Sequence, residues 1–223
     1  LIESECDRRM AAVRKILEEK NLDLALIYYD EFNIGNGWYL TGWCPQFESG
    51  AVLVPRKGNP LLLGGPESEP FAKQDSAVKD TRNFPVFMVP DEEYPAATIL
   101  DFPHLFAELN RNLGSVKRIG IVGGDRMPFG CHKGIADGFV GVEMVDITSE
   151  FLRLRYYKSS WEIEQIRAAF QLADLSYDAM KDMVKVGNSE IQVAAAGEYA
   201  ARSRGVLNAD SFTATTNGDN TIT

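Results

Sequence analysis

An amphipathic helix running straight into an apolar strand fixes the class of fold open to this chain. From about Glu3 to Lys20, Met10, Val13, Ile16 and Leu17 fall on one stripe between charged residues, the spacing of a helix that buries one face. Asn21 stops it, and Leu22 to Tyr29 (LDLALIYY) follows as a short apolar run with strand character. A helix leading into a buried strand begins an α/β layer structure.

The next segments repeat the theme. Trp38 to Trp43 is dense in aromatic and β-branched residues and ends on a glycine turn. Ala51–Val54 and Leu61–Leu63 flank a Gly-Asn turn and read as a hairpin. A short helix is predicted over Pro66–Gln74 and a short strand over Ala77–Asp80. The stretch Asn83–Pro95, with three prolines and the acidic run Asp91-Glu92-Glu93, reads as an exposed connection. A helix is predicted from about Ala96 to Leu113, a strand over Arg118–Val122, a helix over Pro128–Asp137 and a strand over Val142–Val145. Together these give an α/β domain with a mixed sheet of five or six strands flanked by helices.

After Asp146 the pattern changes. Ile147–Leu154 is a short helix, and Ser159 with Glu162 forms a capping box. Ile166, Ala169, Ala173, Met180 and Val184 keep helical spacing up to Gly187. Ser189 and Gln192 form a second box before a helix reaching Gly205, and Ser211–Thr216 starts a Thr-rich strand ahead of an Asn217-Gly218 turn. Two long helices in succession place a domain boundary near residues 150–158, giving domains of 1–152 and 153–223.

Hydrophobic residues make up 45% of the 223 and charged residues 25%, an ordinary globular balance. The net charge of −9, with no segment concentrating Lys and Arg, argues against nucleic acid as a partner. No apolar run approaches the roughly 18 residues of a membrane helix. Cys6, Cys44 and Cys131 are odd in number and widely spaced, which fits reduced thiols and a cytoplasmic location. The N-terminus lacks the features of a signal peptide. The start at Leu1 without Met and the stop at Thr223 inside a β-like segment both read as cuts.

Four motifs in order resemble one family. Asn33 followed by Tyr39-Leu40-Thr41-Gly42 is similar to the N-x-x-Y-L-T-G signature of the creatinase/prolidase N-terminal domain, with a slightly longer spacing after Asn33. Leu154-Arg155-Tyr156-Tyr157-Lys158-Ser159, with Glu162-Ile163 and Ile166-Arg167, resembles the L-R-x-x-K-S-x-x-E-I-x-x-I-R opening of the catalytic pita-bread domain. Gly187-Asn188-Ser189-Glu190 and Phe212 to Asn220 resemble the G-x-S/T-E and the G-x-N strand and turn that follow.

The resemblance implies the fold named above, followed by the first helices and strand of an incomplete α+β pita-bread domain. It implies a parent Xaa-Pro dipeptidase or aminopeptidase, assembled as a homodimer and acting on peptides. The alternatives are creatinase-like, metal-free amidine hydrolysis of a small amidine substrate, or a non-catalytic oligomerisation or regulatory module. In the family's metallopeptidases two Asp, a His and two Glu hold a pair of divalent ions (Mn, Co or Zn) that generate a hydroxide and polarise the scissile carbonyl. The resemblance puts all of these after the G-x-N turn, and a catalytic His just beyond Thr223. Asp210 and Asp219 precede the ligand region. The chain by itself is therefore expected to bind no metal and to hydrolyse nothing. Because N-terminal-domain loops of the family approach a neighbouring subunit's active site, Trp43, Gln46 and Phe47 are substrate-pocket candidates, and Phe212, in the strand before the G-x-N turn, is a further one.

Other candidates read as structure. Gly120-Ile121-Val122-Gly123-Gly124 lacks the spacing of a dinucleotide loop and reads as a glycine turn. Cys131 and His132, adjacent on a helix, diverge by about 100° and cannot pair as a dyad. His104, near a helix start, reads as a surface or capping residue, and Asp91-Glu92-Glu93 as a solvated run.

Overall fold

The computed structural model describes residues 2–45, 47–91 and 93–206. The chain divides into two compact units, Leu1–Tyr156 and Tyr157–Thr223.

The first unit is built on a mixed six-stranded sheet in the order β4-β3-β2-β1-β5-β6. The strands are β1 (Leu24–Tyr29), β2 (Gly50–Pro55), β3 (Leu61–Gly64), β4 (Thr81–Asn83), β5 (Arg118–Val122) and β6 (Glu143–Asp146). β1 pairs antiparallel with β2 and parallel with β5, β2 runs antiparallel to β3, and the β3–β4 and β5–β6 pairs are parallel. The predicted hairpin is therefore β2–β3.

The alternation of side chains along β1 explains its continuous apolar run. Leu24, Leu26 and Tyr28 face one core layer and Ala25, Ile27 and Tyr29 the other, all of them buried. On the Ala25 face lie Met10, Val13 and Leu17 of α1 (Ile2–Glu19), Tyr39 and Leu40 of α2 (Ile34–Thr41), and Phe151 of α6 (Thr148–Leu154). Ala72 of α3 (Glu69–Asp75) joins this layer. On the Leu24 face lie Phe102, Leu105 and Leu109 of α4 (Phe102–Leu113) with Cys131, Ile135 and Phe139 around α5 (Phe129–Gly138). Each Leu, Ile, Val, Phe or Met side chain so removed from water contributes about 1.5–3 kcal/mol, which makes the central strands the anchor of the unit.

Three expectations shift. The strand predicted over Ala77–Asp80 forms at Thr81–Asn83, where Thr81 faces Leu62. Only the Asp80 carbonyl of the predicted stretch joins the ladder, accepting from Leu62 N–H (2.8 Å). The helix predicted from Ala96 starts at Phe102. Leu100 N–H donates to the Asn83 carbonyl (2.8 Å), holding residues 99–100 against β4, and Asp101 then caps α4 through His104 N–H (2.9 Å). The first half of the Pro-rich stretch is not a wholly exposed connection. Phe84 and Phe87, around the 3₁₀ turn Pro85–Phe87, are fully buried, with Phe84 stacked on Phe102 at 4.7 Å. A proline-punctuated backbone can still bury aromatic rings three residues apart.

The second unit contains α7 (Ser160–Met183) and α8 (Glu190–Arg202). Both predicted capping boxes are formed: Ser159 accepts from Glu162 N–H and Ser189 from Gln192 N–H, and each partner side chain returns to the cap's own N–H. α8 buries Val193 and Ala201 and packs Gly197 against Met180 of α7. The predicted strand and turn at 211–218 lie outside the described residues, as do Asp210 and Asp219.

Candidate functional site

The candidate pocket loop hangs from α2. Asp30 Oδ1 accepts from the N–H groups of Phe32 (3.0 Å) and Asn33 (2.8 Å), a side-chain turn that brings the chain from β1 into the helix. Gly42 ends α2 in the left-handed region (φ 68°), its N–H reaching the Trp38 carbonyl, a conformation only glycine adopts cheaply. The Thr41 hydroxyl donates to the Gly37 carbonyl (2.8 Å) and accepts from Trp43 N–H (3.1 Å), so Trp43 leaves the helix in a fixed direction.

The four sequence candidates have separate fates. Trp43 is half-buried against the core layer of α1 and α2. Phe47, on the same loop, is 79% exposed. Gln46 and Phe212 lie outside the described residues. Beside Trp43 is a space of only about 10 Å³, shared with Tyr29, Ser68 and Glu69, room for about one water molecule.

Two carboxylates secure this region. Glu48 is buried and accepts from Ser68 N–H (2.9 Å), the Ser68 hydroxyl and Glu67 N–H (3.4 Å), tying the loop to the start of α3. A Cβ on the buried Gly65 would overlap the Glu48 carboxyl, so glycine is required there. Glu69 accepts from the Thr81 hydroxyl (2.7 Å), Asn83 Nδ2 (2.7 Å) and Lys73 (2.9 Å). Burial pushes its pKa up, but those donors outweigh burial and hold it below the usual carboxylate range. The Tyr29 phenol is driven well above its ordinary range by burial, with Cys44 and Glu48 adding to the effect. Both carboxylates are engaged as acceptors: Glu48 ties the loop to the start of α3, and Glu69 ties α3 to β4.

A larger groove of about 820 Å³ lies by the β2–β3 turn and the end of α4. One of its charges, Asp23, is taken up by Arg56 (3.2 Å) and by the N–H groups of Lys117 (2.8 Å) and Arg118 (3.0 Å). Among the described residues no group of three or more His, Cys, Asp or Glu is placed to hold a metal ion. No described helix is long and apolar enough to cross a membrane.

The remaining sequence candidates fall where structure, not chemistry, needs them. Cys131 is buried, its thiol pushed up to about 12 by burial, while His132 is exposed. His104 is exposed at the start of α4; Asp91 and Glu93 are exposed in the connection before it, and Glu92 lies outside the described residues. Gly123 turns the chain after β5 with φ 77°, and its N–H donates to Thr148 Oγ1 (3.1 Å). The Glu48–Gly65 contact was invisible in the sequence, because seventeen positions separate a lone acid from a lone glycine.

A mixed sheet covered on both faces by helices, carrying an anchored aromatic loop, defines an α/β domain. The chain belongs to the creatinase/prolidase N-terminal domain family, whose profile matches residues 9–157. That stretch ends beside the boundary of the first unit.

Solved structures share the fold. The prolidase from Pyrococcus horikoshii OT3 aligns with a TM-score of 0.68 at 20% identity, covering 90% of this chain and 50% of that one. The Xaa-Pro dipeptidase from Bacillus anthracis gives 0.67 at 17% identity, covering 91% and 50%. The X-Pro aminopeptidase from Thermotoga maritima MSB8 gives 0.65 at 21%, covering 89% and 50%. The chain thus spans about half the length of these relatives. Among curated proteins no sequence match reaches significance.

Proposed function

We propose that this chain is the N-terminal part of a metal-dependent Xaa-Pro dipeptidase or aminopeptidase. The observation that supports the reading is the fold agreement over about nine-tenths of the chain with enzymes named prolidase, Xaa-Pro dipeptidase and X-Pro aminopeptidase, together with family membership. In this reading the pair of divalent ions (Mn, Co or Zn) is held by carboxylates and a His supplied outside the 223 residues. The bound ions supply a hydroxide and polarise the scissile carbonyl. The first unit then serves as a homodimerisation and recognition module. Its exposed Phe47, with Gln46 and Trp43, contributes to the wall of a peptide pocket.

The test is hydrolysis of Xaa-Pro dipeptides by a protein extended through its downstream reading frame. Turnover that needs Mn²⁺ and is lost to a chelator is the expected result, with none from the 223-residue chain. Turnover by the 223-residue chain with added Mn²⁺ refutes the placement of the chemistry. In the extended enzyme Phe47→Ala should raise KM while leaving kcat in place; unchanged kinetics removes Phe47 from the pocket. A monomer by size-exclusion chromatography removes the dimer.

A further inference from the structure

Three of the motif residues, Tyr39, Leu154 and Arg155, sit where the chain leaves the first unit. The Tyr39 hydroxyl donates to the Leu154 carbonyl (3.2 Å), and its ring stands edge-on to Phe151 at 5.8 Å. Arg155 lies across Gly35, where a Cβ would overlap its guanidinium, and donates to Asn36 Oδ1 (3.4 Å). Asn36 is itself buried and donates from Nδ2 to the Tyr28 carbonyl of β1 (3.0 Å). On the other side Arg9 of α1 donates to the Tyr39 carbonyl (2.8 Å) and lies 4.5 Å from the centre of its ring.

These contacts meet a definite need. α6 has seven residues, far fewer than a helix needs to hold itself in water. Its last carbonyls lack partners further along the helix and must find them elsewhere. The Leu152 and Arg153 carbonyls are met by Arg155 and Tyr156 N–H in the closing turn; the Leu154 carbonyl is met by Tyr39.

We infer that α2 is a clasp on the exit of the first unit: the Tyr39 hydroxyl, the Asn36 amide and the bare surface of Gly35 together hold residues 151–155. The N-x-x-Y-L-T-G and L-R motifs are then two halves of one contact. The chain departs from a fixed point of the sheet's helical layer and not from a frayed helix end.

Amide hydrogen exchange on the full chain tests this with two variants. Tyr39→Phe removes only the hydroxyl and should speed exchange at Leu152–Tyr156 about fivefold, with the β1 and β5 amides unchanged. Gly35→Ala gives α2 a better helix former, so a purely helical role predicts equal or slower exchange there. The clasp predicts faster exchange at the same exit amides, because the new methyl displaces Arg155. Acceleration confined to Leu152–Tyr156 in both variants sustains the clasp. Unchanged exchange there in Tyr39→Phe, slower exchange in Gly35→Ala, or acceleration spread evenly over the strands overturns it.

Discussion

The Glu48–Gly65 contact offers a quantitative test of how the aromatic loop is held. Glu48→Ala removes the carboxylate that accepts from Ser68 N–H, the Ser68 hydroxyl and Glu67 N–H. A hydrogen bond to a charged acceptor contributes about 1.5–3 kcal/mol. The Glu67 bond is long at 3.4 Å and counts for little, and the variant also relieves the cost of burying a carboxylate. The net loss is about 2–4 kcal/mol. Gly65→Ala should lose a similar amount by a different route: its methyl overlaps the carboxyl and drives it off Ser68. Once Glu48 is absent that overlap has gone, so adding Gly65→Ala to Glu48→Ala should cost little more. The two changes are therefore coupled by about 2–3 kcal/mol. Urea unfolding followed by Trp38 and Trp43 fluorescence in a Trp161→Phe background reports on the first unit alone. Losses that add to within about 0.5 kcal/mol would refute the contact.

Two further predictions follow from the core. The Cys44 and Cys131 thiols are both pushed up to about 12, chiefly by burial, from an ordinary 9.0. The folded chain therefore keeps protons that the unfolded chain sheds. Stability is full below about pH 9 and falls as pH rises toward 12, a decline that urea midpoints at pH 7, 9 and 10.5 would show and that a flat profile would contradict. Phe84→Ala, which removes a fully buried ring stacked on Phe102, should lower stability by about 3–5 kcal/mol; a loss under about 1 kcal/mol would return Phe84 to the surface connection its prolines suggest.

Much of the fold was legible because its determinants are local or periodic. The α1 stripe, the apolar run of β1, the β2–β3 turn and the capping boxes at Ser159 and Ser189 each lie within a few residues of their partners. The four motifs carried the family for the same reason, since order along a chain survives where identity has fallen to about 20%. The site was less legible. Trp43 and Phe47 stand four residues apart on one loop, yet one packs inward and the other faces solvent.

What the sequence alone determined is the alternation of helix and buried strand, and the family to which that order belongs. What only the tertiary structure decided is which distant residues share space: Glu48 with Gly65, Tyr39 with Leu154, Phe84 with Phe102. Hydrophobic periodicity is written within a single turn or strand, where neighbouring residues constrain one another. A contact across the fold arises only after the sheet has set two segments side by side, and no residue of either segment announces the other.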